Sequence, residues 1–374
     1  MADGMKTMVV KIGSSTLVGE DRVLRRGFIA DLARQASELS QMGWRLVVVS
    51  SGAIACGAPK LGFPSKPTDM PSLQACASVG QCILSAAYDE EFRAAGILTS
   101  LVLLTRHDTA RRGSYLHARD ALTRLLDLSV VPVVNENDTV TVDEIKFGDN
   151  DTLAALVSCL VSADLCVVLS DIDGLYTANP SKDPTARLIP RVDRIDARII
   201  GSAGDSSSAV GTGGMITKVR AARILMTAGI SSVICSGAEP DALTRLARGE
   251  RLGTLFAPPA GRLDIAPRKL WIALGDSAHG SVTVDDGAAR ALRERGSSLL
   301  PVGIRAVEGA FSAGDVLDVR DADGLVIARG IAGAGSDVLE LAVGRRQEQI
   351  AGNRLISELA TKPAIHRDDL IVFA

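Results

Sequence analysis

The chain has 374 residues, which is enough for two domains, and its 47% hydrophobic content can fill more than one buried core. The formal net charge of −3 argues against nucleic acid or an anionic membrane as the main partner. No apolar run reaches the roughly 18 residues of a membrane-spanning helix, and no signal-type stretch opens the chain. Six cysteines without a C-x-x-C pair and four histidines without metal-ligand spacing predict a reduced, cytoplasmic protein with no protein-bound metal.

Strand-like and helix-like segments alternate through the first two thirds of the chain. Apolar runs predict strands at residues 8–12, 45–49, 97–104, 130–134, 165–169 and 232–235. Amphipathic periods predict helices at residues 28–39, 73–95, 115–128, 152–161 and 216–228. This alternation predicts an α/β fold, a three-layer sandwich in which helices cover both faces of a mostly parallel sheet.

The character of the sequence changes near Pro258. Residues 257–267 are rich in proline, and later segments such as residues 316–319 and 325–328 are short and flanked by Gly and Asp. We therefore predict a large α/β domain over residues 1–262 and a small, mostly β domain over residues 268–374.

Polar residues gather where predicted strands end, at residues 11–15, 50–53, 135–138 and 170–173. In open α/β sheets, ligands bind beyond the carboxyl ends of the strands. A further polar cluster at residues 148–151 opens a helix, where unpaired backbone N–H groups favour anions. Either of the clusters at 135–138 and 148–151 could be only a turn or a helix cap, but their closeness in sequence favours a binding site.

No G-x-x-x-x-G-K-[ST] phosphate-binding loop is present. Instead, Lys11 ends the first predicted strand, and Lys218 follows a glycine-rich turn that enters a helix. Phosphoryl transfer needs mainly positioning and neutralisation of charge, so two lysines with carboxylates that orient them would suffice. Taken separately, each lysine is more typical of a side chain that extends into solvent. The polar loop at residues 205–214 is a candidate mobile flap over a ligand.

The chain contains six motifs that resemble the amino acid kinase family in order and context: KIGSS at 11–15, SSGAI at 50–54, NEND at 135–138, FGDND at 147–151, SDIDGLYTANP at 170–180 and GTGGMITK at 211–218. The C-terminal segments VTVDDGAARAL, RGSSLLPVGI and HRDD resemble the PUA domain fused to bacterial members. The resemblance covers nearly the whole chain. It points to the members that phosphorylate the γ-carboxylate of glutamate with MgATP, in the first step of proline biosynthesis.

The resemblance implies a role for each matching residue. ATP would be bound by Lys11, Ser170, Asp171, Thr212, Gly213, Gly214, Met215, Ile216, Thr217 and Lys218. Glutamate would be bound by Ser51, Asp138 and Asn150, with Asp138 suited to the α-ammonium group and the Asn150 amide to the carboxylates. Lys11 and Lys218 would flank the moving phosphoryl group, and Asp151 would hold both lysines.

The resemblance also implies ATP and Mg²⁺ as cofactors, a homo-oligomer (a dimer or a tetramer), feedback inhibition by proline and handover of the product to glutamyl phosphate reductase. Two alternatives stay open. The substrate could be another small carboxylate or carbamate, because the fold does not fix it. The PUA-like region could bind RNA, although residues 268–374 hold 13 Lys and Arg against 15 Asp and Glu, which makes a nucleic-acid partner a weaker expectation.

Overall fold

A computed structural model describes residues 4–105, 112–140, 150–204, 214–258, 269, 272–273, 278–354 and 356–373. The chain divides into two compact units, Met1–Leu263 and Asp264–Ala374. No helix in the described ranges is both long enough and apolar enough to cross a membrane. The expected flap at residues 205–214 and the proline-rich segment at 257–267 lie outside the described residues, except for positions 214, 257 and 258.

The first unit is built around one sheet with eight strands: β1 (Lys6–Ile12), β2 (Trp44–Val49), β3 (Thr99–Leu104), β4 (Val131–Glu136), β5 (Leu165–Ser170), β6 (Arg191–Val192), β7 (Ser231–Ser236) and β8 (Thr254–Phe256). The strand order is β3-β4-β2-β1-β5-β7-β8-β6. Every neighbouring pair is parallel except β7 with β8. The prediction of a mostly parallel α/β sheet is confirmed, although β6 and β8 were missed because they are too short to show an alternating pattern.

Helices connect these strands: α1 (Ser14–Leu17), α2 (Arg26–Gln41), α3 (Ala53–Lys60), α4 (Met70–Ala94), α5 (Arg112–Asp127), α6 (Asn150–Leu160), α7 (Ala197–Gly204), α8 (Met215–Thr227) and α9 (Ala242–Ala247). The long ones lie within a few residues of their predicted positions. The short ones were not predicted, because eight residues or fewer give too little periodicity. Asp69 starts α4 by accepting the Ser72 backbone N–H at 3.0 Å.

Alternation along β1 separates the two faces of the sheet. Met8, Val10 and Ile12 pack into an apolar core with residues of α2 and α4. Successive strand residues point to opposite faces, so Lys11 faces the other side of the sheet. On that side α6 brings Asp151 and α8 brings Lys218. The same alternation that fills the core therefore delivers a charged side chain to the opposite face.

Helices α3 and α4 cross with their backbones in close contact at two glycines. A Cβ atom on Gly57 would lie 1.9 Å from the Cys76 carbonyl oxygen, and one on Gly80 would lie 1.7 Å from the Ala53 carbonyl oxygen. Any larger residue would push the helices apart. Because α3 begins directly after Gly52, this crossing fixes α4 against the loop at residues 50–52.

The second unit contains a sheet of five strands: β9 (Gly280–Val284), β10 (Ile304–Glu308), β11 (Val316–Arg320), β12 (Val326–Ile331) and β13 (Leu370–Val372). Its helices are α10 (Asp286–Arg295), α11 (Ser336–Ala342) and α12 (Gln347–Ala351). The order is β10-β9-β11-β12-β13, and all neighbours are antiparallel except β9 with β11. This confirms a small, mostly β C-terminal part.

Candidate active site

The strand order distributes the polar strand ends on the two sides of β1. Strands β2 and β4 lie on one side, whereas β5 and β7 lie on the other. Ser51 follows β2, and Ser170 ends β5. Lys11 lies near the end of the dividing strand, paired with Val49 of β2 and Val168 of β5. The residues expected to bind glutamate and those expected to bind ATP therefore start from opposite sides of Lys11.

Asp151 joins the two lysines of the site. Its Oδ1 atom lies 2.8 Å from the Lys11 Nζ, and its Oδ2 atom lies 3.2 Å from the Lys218 Nζ. Oδ2 is also 2.8 Å from the Thr217 hydroxyl oxygen. Both lysines are only 6% exposed, and Asp151 is 1% exposed. Buried charges require such pairing, so neither Lys11 nor Lys218 is the solvated lysine that either would resemble alone.

The charge balance of this cluster favours an anion. Burial by itself raises the pKa of the Asp151 carboxyl, but Lys11, Lys218 and the Thr217 hydroxyl outweigh that effect and hold the pKa below its usual value. Asp151 is therefore ionised at neutral pH and neutralises one of the two ammonium groups. The remaining positive charge suits a transferred phosphoryl group.

Asn150, the first residue of α6, ties together the ends of β2 and β4. Its Nδ2 atom lies 2.5 Å from the Ser50 carbonyl oxygen, 3.0 Å from the Ser51 Oγ and 2.9 Å from the Asn135 Oδ1. The structure thus brings Asn150 and Ser51 together, as expected for a shared site. The Asn150 amide donor contacts protein acceptors, among them the Ser51 hydroxyl, which it helps to position.

Helix α4 contributes two further side chains to this cluster. Gln81 Oε1 accepts a hydrogen bond from Asn135 Nδ2 at 2.7 Å, and the Tyr88 hydroxyl lies 3.1 Å from the Ser50 Oγ. Burial raises the pKa of Tyr88, which keeps its proton. Sequence analysis did not single out Gln81 or Tyr88, because both lie within an ordinary amphipathic helix. Asn135 was visible only as part of the NEND motif.

Asp138 opens a short 3₁₀ turn after β4 and is half-buried. Burial, followed by the nearby Glu136 carboxylate, raises the pKa of Asp138 to about 7, and Lys66 acts in the opposite direction. A carboxylate with a raised pKa gains from a cation placed beside it. A substrate ammonium group would supply that cation.

The opposite side of β1 holds the residues expected to bind ATP. Ser170 is buried, and its hydroxyl donates to Asp171 Oδ1 at 2.9 Å. The Gly237 N–H donates to the Ser170 carbonyl at 2.7 Å and joins the ends of β5 and β7. Gly237 was not predicted, although it follows a strand end in the same manner as the residues that were.

Gly214 precedes α8, and the first turn of that helix is formed by Met215, Ile216, Thr217 and Lys218. The Thr217 N–H donates to the Gly214 carbonyl at 3.1 Å, and this contact closes the turn. Thr212 and Gly213 lie outside the described residues. The described part of the expected ATP segment therefore presents a helix N-terminus and Lys218 to the same side of the sheet as Asp151.

Within the described ranges, no three His, Cys, Asp or Glu side chains gather into a metal-binding group. Both oxygens of Asp151 contact lysines, so this carboxylate fits the role of holding ammonium groups better than that of a metal ligand.

Comparison with known proteins finds two family profiles in different parts of the chain. The profile of the amino acid kinase family matches residues 6–236, and that of the PUA domain matches residues 280–352. The chain is 45% identical to the glutamate 5-kinase of Geobacter sp. and covers 98% of it, with 98% of this chain aligned. It is 46% identical to the glutamate 5-kinase of Variovorax paradoxus, with 98% of this chain and 96% of the relative covered. A third glutamate 5-kinase, from Chromobacterium violaceum, is 45% identical over 97% of each chain.

Proposed function

Because the chain belongs to the amino acid kinase family, we propose that it transfers the γ-phosphoryl group of ATP to the γ-carboxylate of L-glutamate and forms L-glutamyl 5-phosphate. The observation that carries this proposal is the buried bridge of Lys11, Asp151 and Lys218, with the two sets of expected substrate residues on opposite sides of β1. The name shared by the relatives supplies the substrate. The reaction is the first step of proline biosynthesis.

The chemistry needs no general base, because the γ-carboxylate of glutamate is already ionised near pH 7. One of its oxygens attacks the γ-phosphorus of ATP, the bond from that phosphorus to the β–γ bridging oxygen breaks, and ADP leaves. Lys11 and Lys218 stabilise the charge on the transferred group and the leaving oxygen. Asp151 keeps both ammonium groups in fixed positions, which lowers the reorganisation needed at the transition state.

The two substrates approach this centre from different strands. Ser51, Asn150 and Asp138 would bind glutamate, with Asp138 facing the α-ammonium group. Ser170, Asp171 and the segment from Thr212 to Lys218 would bind ATP. Mg²⁺ would enter with ATP, held chiefly by phosphate oxygens, as is common for this ion at nucleotide sites. When bound, it would neutralise part of the phosphate charge.

Trapping of the acyl phosphate tests the proposal directly. The protein is incubated with ATP, Mg²⁺ and hydroxylamine, and glutamate, aspartate and N-acetylglutamate are offered in turn. We expect a hydroxamate from glutamate and little from the others, because aspartate is one methylene shorter and N-acetylglutamate lacks the ammonium group expected at Asp138. Product from another acid but none from glutamate would mean that the protein is a kinase with a different substrate.

Assembly and regulation are further proposals. We propose a homo-oligomer, a dimer or a tetramer, which light scattering after size-exclusion chromatography would measure. Feedback inhibition by proline follows chemically from the amino and carboxylate groups that proline shares with glutamate. Direct handover to glutamyl phosphate reductase is proposed because an acyl phosphate hydrolyses readily in water. The cytoplasmic location stays a prediction.

A further inference from the structure

Gln81 carries an amide whose orientation is fixed by its neighbours. The Glu136 backbone N–H donates to Asn135 Oδ1 at 2.9 Å, so this atom of Asn135 must be the oxygen. Asn135 Nδ2 is therefore a donor, and the Gln81 atom that lies 2.7 Å from it must be the acceptor Oε1. It follows that the other amide atom of Gln81, Nε2, is a donor that points away from Asn135.

This Nε2 donor is buried and has no hydrogen-bond partner in the part of the chain that the structure describes. The neighbouring amides differ, because the Nδ2 atoms of Asn135 and Asn150 both donate to protein acceptors. A buried N–H group without an acceptor is destabilising. Such groups are rare in proteins and call for an explanation. At the edge of the proposed glutamate site, an acceptor supplied by the substrate would provide one.

The position of Gln81 in the fold indicates which group of the substrate would lie beside it. Asn135, its partner, lies on β4, two strands from β1 and thus roughly 9–10 Å from the strand that carries Lys11. If the reacting γ-carboxylate lies at Lys11, the side of β4 receives the α-carbon end of the substrate. Asp138 follows β4 and suits the α-ammonium group. The Asn150 Nδ2 atom contacts three protein acceptors, so the α-carboxylate is the charged group that still needs a further donor.

We propose that Gln81 Nε2 donates a hydrogen bond to the α-carboxylate of the amino acid substrate. The inference rests on the proposed function for the identity of that substrate. The crossing of α3 and α4 at Gly80 fixes the backbone next to Gln81 against Ala53, and the hydrogen bond from Asn135 fixes the Gln81 amide, so the donor is held in position. Gln81 would thus favour acceptors with a free α-carboxylate.

Two variants test the proposal. Gln81→Met keeps the length of the side chain and removes the donor, whereas Gln81→Glu keeps an acceptor for Asn135 and replaces the donor by a carboxylate oxygen. We expect the KM for glutamate to rise about 10- to 100-fold in Gln81→Met and further in Gln81→Glu, because a charge-assisted hydrogen bond is lost and then replaced by repulsion. The KM for ATP should stay within about twofold in both.

Gln35→Met is the matched control. Gln35 is also a buried glutamine, but its side chain donates to Asp31 of the same helix at 2.7 Å and accepts the Leu243 N–H of α9 at 3.0 Å. Its loss should lower the melting temperature without a change in the KM for glutamate. If the KM for glutamate rose equally in Gln35→Met and Gln81→Met, the effect of Gln81→Met would be explained by lost stability. That result would overturn the proposal.

A ligand without the α-carboxylate identifies the group that Gln81 contacts. Competition by 4-aminobutyrate, which keeps the amine and the other carboxylate, should be nearly equal in wild type and Gln81→Met, whereas competition by glutarate should weaken in the variant. An unchanged KM for glutamate in Gln81→Met, or equal weakening of both competitors, would overturn the inference. Absence of hydroxamate from glutamate in the wild type would instead count against the proposed function.

Discussion

Asp151 makes two buried lysines compatible with each other and with catalysis. Lys11 and Lys218 contact different oxygens of this carboxylate, so one anion offsets the repulsion between two cations. A lysine carries a compact charge on a flexible side chain. Without a carboxylate to hold it in place, the ammonium group would be poorly positioned and would stabilise the transition state less. The proposed role of these residues in phosphoryl transfer would account for the cost of burying three charges.

Replacing Lys11 or Lys218 by Ala should lower kcat by about a thousandfold or more, which corresponds to roughly 4 kcal/mol of transition-state stabilisation. Hydroxamate formation at saturating substrates measures the rate, and circular dichroism verifies the fold. Lys362→Ala, an exposed lysine of the second unit, serves as the control for loss of a positive charge and should retain normal turnover. A near-normal kcat in both Lys11→Ala and Lys218→Ala would show that these lysines do not stabilise the charge of the transition state.

We expect the proposed contact of Asp138 with the substrate ammonium group to give the reaction a pH dependence of definite sign. Burial and the nearby Glu136 carboxylate raise the pKa of Asp138 from the ordinary value of 3.8 to about 7. Only the ionised carboxylate attracts an ammonium group, so kcat/KM for glutamate should fall as the pH drops below about 7, by up to about tenfold per pH unit. Asp138→Asn should lower kcat/KM at pH 8 and flatten this limb of the profile. If the pH profile of kcat/KM in Asp138→Asn kept its midpoint near 7, another group would be responsible for the titration.

The same raised pKa acts on stability. The folded state binds the Asp138 proton more tightly than the unfolded state does, so its contribution to stability is complete below about pH 4 and is lost as the pH rises through about 7. Asp138→Asn should therefore become more stable relative to wild type as the pH rises from 4 to 8. Urea unfolding at several pH values measures this difference, and a difference that shrank over this range would contradict the assignment.

At the scale of elements, the crossing of α3 with α4 positions the side chains of the proposed glutamate site. Helix α3 begins at the end of the loop that carries Ser51, and α4 carries Gln81 and Tyr88 on one face, two turns apart. The glycines at the crossing let the two backbones touch, which fixes the position of the α4 side chains relative to the start of α3.

Gly80→Ala should therefore affect both stability and substrate binding. The added Cβ would lie 1.7 Å from the Ala53 carbonyl oxygen, and the helices must move apart to relieve the overlap. We expect a loss of about 1–3 kcal/mol in the free energy of unfolding, together with a higher KM for glutamate. Steady-state kinetics and urea denaturation measure the two effects.

Gly201→Ala provides the comparison for that experiment. Gly201 lies inside α7, is exposed, and has no heavy atom within 4 Å of an added Cβ. Alanine should there stabilise the helix by about 0.5–1 kcal/mol and leave the KM for glutamate unchanged. If Gly80→Ala behaved in the same way, the contact between the two helices would not constrain the site.

At the scale of the whole molecule, the kinase residues and the PUA domain belong to different units. Every described residue of the proposed active site lies in Met1–Leu263. In the second unit, several arginines are paired with local carboxylates, as in Arg293 with Asp321 at 3.0 Å, Arg305 with Asp285 at 3.0 Å and Arg329 with Asp318 at 2.8 Å. Arginines already paired within the fold offer less free charge for the phosphates of a nucleic acid.

A shortened chain that ends near Ala266 should still form glutamyl phosphate, because it keeps β8 and every proposed substrate residue. The expected change is in the response to proline or in the oligomeric state. Hydroxamate assays of the shortened protein, with circular dichroism as the control for folding, measure the outcome. Loss of catalysis in a folded shortened chain would give the second unit a catalytic role. Submicromolar, salt-sensitive binding of RNA by the full chain but not by the shortened one would make that unit a nucleic-acid reader.

The sequence by itself determined the long helices, the main strands, the parallel character of the sheet and the polar clusters at strand ends. These features follow from local periodicity and from residue types that favour caps and turns, so neighbouring positions are sufficient to reveal them. The motif residues Lys11, Asp151 and Lys218 were also identified, although their joint role depended on a resemblance to a family.

Only the tertiary structure decided the strand order and the contacts that assemble the site. Lys218 and Asp151 are 67 positions apart in sequence, and Asn135 and Gln81 are 54 apart. Such pairs meet because the order β4-β2-β1-β5 and the crossing at Gly80 bring their elements together. Which strands become neighbours depends on how apolar faces pack across the whole domain. This packing leaves no local signal at Gln81, which in the sequence resembles any other residue of an amphipathic helix.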